Sequence, residues 1–412
     1  MNLRLGSLSW ILLTIVIIDL LGFGIIVPVL PILFSEVDFR LPSLFGEGLE
    51  QRQYLMYGLL TATYPIFQFL STPILGQLAD RYGRRHILIA CLVGNGLSYL
   101  LFALGIYTHS LAILVFSRVL GGVMGGNIAI VQAIIADTTE PHERTKAYGL
   151  IGAGYGIGLI VGPYIGGKLS DPNLAAWFKM DTPFLFAALL CFINTAIVIS
   201  LLPETLKREH RINLHLAGAF EDIMHAFGYK RMTILFITGF LFQFAFTMFV
   251  SFFGVLLYKR FGFTQGTIGE YFAYAGLWIG ITQIFITKWM AKRFTEVTVV
   301  RLGLIGCSIF SFILFFRIDQ WVLYTVTALF AIANGLAQTS ILSLVSTNAE
   351  RGSHGKIMGI NSSLYALANA IPPALSGAIA ASDRVETPIL VASLLIVGST
   401  IMFFRYKAPH SN

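Results

Sequence analysis

Apolar residues in this chain come in long unbroken runs rather than in alternation with polar ones. Runs of about twenty predominantly apolar residues, enough for a helix to cross a bilayer core, recur along almost the whole sequence. Short charged or glycine-rich connections separate them. Twelve are placed, at 8–34, 54–78, 86–107, 111–136, 146–168, 183–203, 232–257, 268–290, 298–316, 321–345, 355–381 and 386–405. They leave no room for a separate soluble domain. The expected fold is all-α and integral to a membrane, with twelve transmembrane helices in two six-helix pseudo-symmetric bundles. Residues 1–203 would form the first bundle, 204–231 a cytoplasmic linker and 232–412 the second bundle. The first run is too long for a signal-peptide core, and no small-residue cleavage pattern follows it, so it reads as a retained span.

The polar positions give an orientation. With both termini on one side, that side collects nineteen lysines and arginines against eight on the other. Basic residues concentrate in cytoplasmic loops, so both termini should be cytoplasmic. The one basic residue left over, Arg118, lies inside a span. In the linker, Leu216, Phe220, Met224 and Phe227 share one helical face. An amphipathic helix in the headgroup layer and a plain linker both fit that pattern.

The two halves look like a repeat. At one constant offset Lys146, Gly149, Pro163 and Gly167 fall on Lys356, Gly359, Pro373 and Gly377. Span 5 therefore maps onto span 11, as two halves related by an axis along the membrane normal would require.

Composition agrees. The chain is 56% hydrophobic and 12% charged, about half the charge of a soluble domain. Its net charge of +7 is accounted for by cytoplasmic loops, without nucleic acid as a partner. Cys91, Cys191 and Cys307 lie in three different runs, which argues against a disulfide framework or a metal site. No metal-ligand cluster, nucleophile elbow or phosphate loop is present, so neither an enzyme nor a cofactor is expected.

Asp19 lies about 18 Å into span 1 at 1.5 Å per residue, near the bilayer midplane. An ionised side chain there costs about 2.5–3.5 kcal/mol on insertion scales and usually faces a cavity or a partner. Arg118 in span 4 sits at a comparable depth. Two readings stand: Asp19 exchanges a proton while Arg118 tunes it or binds an anion, or the two form a static ion pair that fixes packing. Helical steps of three and four place Arg118, Gly122, Gly125, Ala129 and Gln132 on one face, with Asn127 pointing elsewhere as a packing residue. Gln243 and Thr247 share a face in span 7, Asn334 and Gln338 in span 10, and Asn361, Tyr365 and Asn369 in span 11. These polar residues are expected to line the substrate cavity. Taken singly, each also reads as an interhelical hydrogen bond.

Two further patterns carry information. Gly154, Gly158, Gly162 and Gly166 recur every four residues in span 5, with Pro163 inside and Gly167 following. Such a stripe lets two backbones approach closely, and the proline bends the helix; packing and gating are both open. Between spans 2 and 3 stands GQLADRYGRRH, Gly76 to His86. Its interleaved Asp80, Gly76 and Gly83 favour an ordered charge lock over anchoring of Arg81, Arg84 and Arg85 to anionic headgroups. Asp137, at the end of span 4, is placed to reach Arg84.

GQLADRYGRRH resembles the loop signature of the major facilitator superfamily. FSRVLGG, Phe116 to Gly122, is similar to its span-4 signature. GLIVGPYIGG, ending at Gly167, resembles the antiporter signature of span 5, and IIDLLGFGIIVPVLP, from Ile17, the first span of tetracycline efflux antiporters. The resemblance is to the drug:proton antiporter branch. It implies alternating access by two six-helix bundles around a central site. It also implies a gate network of Asp80, Arg84 and Asp137, proton coupling through Arg118, and a place for Asp19 in the substrate or proton site. Where that group carries an acid in span 3 this chain has Ser98, and span 9 has none, so a metal-chelated cationic substrate is not carried over. The expectation is a proton-coupled exporter of a small amphiphilic compound such as a drug, siderophore or metabolite. Its partners would be that compound, protons and membrane lipids. It would act as a monomer in a bacterial inner membrane. An importer or symporter on the same scaffold, and a non-transporting receptor, are the alternatives. The span-5 signature favours export, and the intact charged turn argues against the receptor.

Overall fold

A bilayer core offers no water to bond to, so an apolar run satisfies its backbone by closing into a helix. The computed structural model describes residues 5–37, 39, 48–139, 144–206, 232–349 and 354–406, and among them every regular element is helical. The linker residues Leu216, Phe220, Met224 and Phe227 lie outside the described residues. The helices are α1 (Leu5–Ile26), α2 (Leu30–Glu36), α3 (Leu49–Tyr82), α4 (Arg84–Tyr107), α5 (Leu111–Met124), α6 (Asn127–Thr138), α7 (Arg144–Leu169) and α8 (Thr182–Leu201). In the second half come α9 (Thr233–Phe261), α10 (Gln265–Ile281), a π-helical turn (Thr282–Ile286), α11 (Thr287–Ala291), α12 (Glu296–Phe315), α13 (Gln320–Thr347), α14 (His354–Ala370), α15 (Pro372–Ser382) and α16 (Thr387–Phe404). Nine segments among the described residues are long and apolar enough to cross a membrane.

Three predicted spans are broken where the sequence reading drew one helix. The first breaks at 27–29, between α1 and α2, where Pro28 has no N–H to donate. The fourth breaks at Gly125 and Gly126, between α5 and α6. There α3 supplies the missing partners: Gln68 Nε2 donates to the Gly125 carbonyl at 2.7 Å and Ser71 Oγ to the Gly122 carbonyl at 3.2 Å. The eleventh breaks at Ile371, and α15 restarts with Pro372 and Pro373 in its first turn, where missing N–H groups are tolerated.

The chain packs as two units. The first comprises Met1–Pro42, Thr63–Leu216 and Phe263–Ala273; the second comprises Ser43–Ala62, Ala217–Gly262 and Tyr274–Asn412. Within the first, α1 packs on α7 and α8, and α4 packs on α5 and α8. The glycine stripe makes the α1–α7 seam. A Cβ at Gly158 would lie 2.5 Å from the Leu20 Cβ, and one at Gly162 would lie 2.7 Å from the Gly24 Cα. Within the second unit, α9 packs on α14, α15 and α16, and α12 packs on α13 and α16.

Candidate functional site

Asp19 lies on α1 beside an apolar cluster built by α1, α3, α4, α6 and α8, which includes Ile15, Val16, Leu20, Cys91, Leu92, Ile130 and Val131. Asn127 on α6 and Asn95 on α4 lie beside its carboxylate. Asn127 is buried, at 1% exposed. The break at Gly125 and Gly126 interrupts the helical phase, so positions after it cannot be read from positions before it. Gln132, placed on the Arg118 face by that uninterrupted phase, is exposed.

Arg118 is 6% exposed. Among the described residues no ion pair joins it to Asp19. Its guanidinium instead lies over the Phe102 ring, 4.1 Å from the centroid, and Phe102 stacks on Phe184 at 4.3 Å. A desolvated cation over an aromatic face is worth about 2 kcal/mol, and the Arg118 Nε has no hydrogen-bond partner among the described residues. Tyr99, one turn before Phe102 on α4, is within electrostatic reach of both Asp19 and Arg118. Its hydroxyl lies against α1, 3.0 Å from where a Gly22 Cβ would stand. The static ion pair is therefore not formed; a tyrosine stands within reach of both charges.

The charged turn between α3 and α4 has a definite geometry. Arg84 bridges two acids, with Nη2 2.5 Å from Asp80 Oδ1 and Nε 3.2 Å from Asp137 Oδ2. Gly83 has φ 102°, a conformation that favours glycine, and a Cβ there would strike Glu204. Glu204, missed in the sequence, just past the end of α8, caps α4 from outside. Its carboxylate accepts the N–H of Arg84 at 2.9 Å and of Arg85 at 3.2 Å, and His86 Nδ1 lies 3.4 Å away. The Arg85 guanidinium donates to the Ile199 carbonyl. Arg81 stacks on Tyr82 at 5.1 Å, apart from the bridge. Gly76 has open space around it, so no close approach accounts for it.

The second unit holds an uncharged network. Gln243 Nε2 and Thr247 Oγ1 each donate to Asn369 Oδ1 at 2.8 Å, and Gln338 Nε2 donates to Gln243 Oε1 at 3.1 Å. Four of the predicted lining residues, from α9, α13 and α14, are thereby brought together. Tyr365 packs beside Gly239, one turn from Gln243, and its buried hydroxyl has no hydrogen-bond partner among the described residues. Asn334 of α13 is buried with neither amide atom bonded among the described residues, and Asn361 of α14 is buried too. In the first unit, Gly166 packs on the Ile25 carbonyl, Pro163 on the Gly24 position, and Gly167 on Gln265 and Gly266.

Comparison with known proteins agrees with this architecture. The family description Major Facilitator Superfamily matches residues 12–373, and again 235–412. The tetracycline resistance protein, class B, of Escherichia coli is 30% identical over 91% of this chain and 89% of its own length. Multidrug resistance protein 2 of Bacillus subtilis is 28% identical over 94% of this chain and 92% of its own length. Among solved structures, the human organic anion transporter MFSD10 (TETRAN) superposes with a TM-score of 0.71 at 22% identity, covering 98% of this chain and 100% of that one. A D-xylose-proton symporter superposes with a TM-score of 0.75 at 13% identity, covering 98% of each chain. At those identities the two structures bear on the fold alone. The chain belongs to the major facilitator superfamily, among transporters rather than enzymes, and its relatives include proteins named for tetracycline and multidrug resistance.

Proposed function

We propose that this protein is a proton-coupled exporter of a small amphiphilic compound, working by alternating access. Its twelve spans would form two six-helix bundles: nine are apolar enough by composition, and α3, α7 and the α10–α11 segment supply three more helices of sufficient length. It would act as a monomer in a bacterial inner membrane, in contact with lipid, with both termini cytoplasmic. The observation that carries the reading is Asp19, an acid at mid-span with no ion pair to Arg118 among the described residues, in a chain whose relatives are named for tetracycline and multidrug resistance. Asp19 would take up and release the proton. Arg118 would bias that exchange through Tyr99. Asp80, Arg84 and Asp137, supported by Gly83 and Glu204, would form the cytoplasmic gate. Gln243, Thr247, Gln338 and Asn369 would bind substrate through uncharged hydrogen bonds, with Asn334, Asn361, Tyr365 and Gln132 around them. Gly158, Gly162, Pro163, Gly166 and Gly167 would hold the α1–α7 seam that carries Asp19.

The uncharged network and the serine at position 98 favour an amphiphile over a metal-chelated cation. Ser98 is buried and its hydroxyl donates to the Asn95 backbone carbonyl at 2.8 Å, so it offers no charge. The test is transport by purified protein in proteoliposomes with an imposed pH gradient and a panel of amphiphilic compounds. Accumulation driven by the gradient is expected, and Asp19→Asn should abolish it while retaining downhill exchange. Uphill accumulation by Asp19→Asn would remove Asp19 from proton coupling.

A further inference from the structure

Several arginines at the helix ends have partners within the protein. Arg84 bridges two acids, Arg85 donates to a backbone carbonyl, and Arg293 lies over the Trp289 ring at 4.4 Å. Two arginines where α12 begins and α16 ends have no such neutralising partner. Arg301, on the second turn of α12, lies over the Phe404 ring, 5.4 Å from the centroid. Its Nε is enclosed, and the guanidinium has no hydrogen bond or ion pair among the described residues. Arg405 follows Phe404 at the C-terminal end of α16, exposed and equally unpaired among the described residues. The acid nearest Arg301 in sequence, Glu296, is engaged by α13: Ser343 Oγ donates to it at 2.7 Å and Thr347 Oγ1 at 3.5 Å.

A seam between the two helices brings the arginines to one place. Ser308 Oγ on α12 and Thr400 Oγ1 on α16 are 2.9 Å apart, and Thr400 Oγ1 also lies 3.3 Å from the Leu304 carbonyl. Further toward the helix ends, Arg301 meets Phe404. The helices therefore run antiparallel, and both arginines stand at the same mouth of the seam. Arg301 is five residues past the first residue of α12, about 8 Å along the axis. Beyond it, Ile305 and Ile309 continue its face at steps of four, and Ile401 and Leu394 continue the Phe404 face of α16. All four are exposed. Any lipid-facing helix shows an apolar stripe of that kind. What sets this one apart is the pair of unneutralised guanidiniums at its head.

We propose that Arg301 and Arg405 bind the phosphate of an anionic phospholipid, with its acyl chains lying along Ile305 and Ile309 on one side and Ile401 and Leu394 on the other. The inference rests on reading α12 and α16 as membrane spans, and its leaflet, the cytoplasmic one, follows from the proposed orientation. A guanidinium presents its N–H donors as a fork that matches phosphate oxygens in pairs. The Phe404 face holds the Arg301 plane in position, and Arg405 adds a second positive charge beside it. A zwitterionic lipid carries the same phosphate but brings its own cation, so two arginines without acids select the anionic headgroup. Free phosphate has the charge but nothing to lay along the isoleucines and leucine.

Native mass spectrometry of the purified full-length protein in detergent, titrated with phosphatidylglycerol, reads the site directly. Phosphatidylcholine is the zwitterionic reference and inorganic phosphate the competitor without chains. Wild-type protein should retain phosphatidylglycerol over phosphatidylcholine, and millimolar phosphate should not displace it. Arg301→Gln and Arg405→Gln should each weaken phosphatidylglycerol binding about fivefold and leave phosphatidylcholine unchanged. Arg317→Gln, at an exposed position beyond the other end of α12, should alter neither. Should an arginine variant fail to insert, wild-type protein answers without substitution: phosphatidylglycerol with a photoreactive acyl chain should label the peptides carrying Ile305, Ile309 and Ile401 above other exposed spans. Equal retention of the two lipids, displacement by phosphate, unchanged binding in both arginine variants, the same loss in Arg317→Gln, or label spread evenly over the spans overturns the site. The orientation fails separately, if Tyr82→Cys is labelled from outside intact cells; the lipid site would then stand in the opposite leaflet.

Discussion

Glu204 shows how much one carboxylate can organise. Beyond the N–H groups of Arg84 and Arg85, it accepts those of Thr205 and Leu206 at 2.9 and 3.0 Å. Burial pushes its carboxyl up, but the four backbone donors together outweigh burial and hold it below the ordinary carboxylate range. With the folded value below the unfolded one, the stabilisation is complete above the unfolded value of about 4.3. It is lost as pH falls through the folded value. Glu204→Gln should therefore lower stability at neutral pH by about 1 kcal/mol or less, the scale of a solvent-screened surface interaction. The gap to wild type should close in acid. Denaturant or thermal melts of the detergent-solubilised protein at graded pH measure it; a gap that persists unchanged into acid would mean that shape, not charge, is what Glu204 contributes.

Among the elements, the turn between α3 and α4 is where charge and helix ends meet. Arg84 is the common partner of an acid on α3 and an acid on α6, so its removal frees both. Arg84→Ala or Asp80→Asn should reduce transport about tenfold or more, equivalent to a shift of about 1.4 kcal/mol between conformations, with insertion intact. Transport at wild-type rate in both would leave the turn as a lipid anchor. Much of this level was legible in the sequence. Asp80, Arg84 and Asp137 meet as their spacing and end positions suggested, and Gln243, Thr247, Gln338 and Asn369 meet because helical steps of four survive within unbroken helices. The breaks were not legible in hydropathy, though Pro28, Pro372 and Pro373 stand beside two of them. Valine, glycine and isoleucine at 27, 125 and 371 keep an apolar run apolar, so hydropathy passes over the interruption. Glu204 was invisible for another reason: its partners lie 120 and 119 positions away, and nothing local to it marks the pairing.

On the scale of the whole molecule the internal repeat reappears as geometry. In the first unit a Cβ on Gly269 of α10 would strike the Pro163 carbonyl oxygen and lie 3.1 Å from the Gly167 Cα. In the second, a Cβ on Gly58 of α3 would lie 2.6 Å from the Pro373 carbonyl oxygen and 2.7 Å from the Gly377 Cα. The same proline and glycine that align in the repeat each receive a glycine from another helix. Orientation can be tested on a silent background, because the native cysteines are buried. An impermeant thiol reagent added to intact cells should label Asn173→Cys and spare Tyr82→Cys, both exposed positions; labelling at 82 would reverse the topology.

The opposite charges of Asp19 and Arg118 also decide where the membrane potential acts. With Asp19 ionised the two charges sum to zero at mid-span, and with Asp19 protonated they leave one positive charge. A potential does electrical work of about 2.3 kcal/mol per elementary charge per 100 mV. Voltage would then act on the proton-loaded leg of the cycle and draw it toward a negative cytoplasm, while the empty leg would move unopposed. Arg118→Ala inverts the assignment: the loaded form becomes neutral and the empty form carries the negative charge. Transient currents on a supported membrane should accordingly follow proton loading in wild type and proton release in Arg118→Ala. Identical currents from both would show that Arg118 stands outside the field-sensitive step, and the protein's electrical behaviour would have to be set by its substrate.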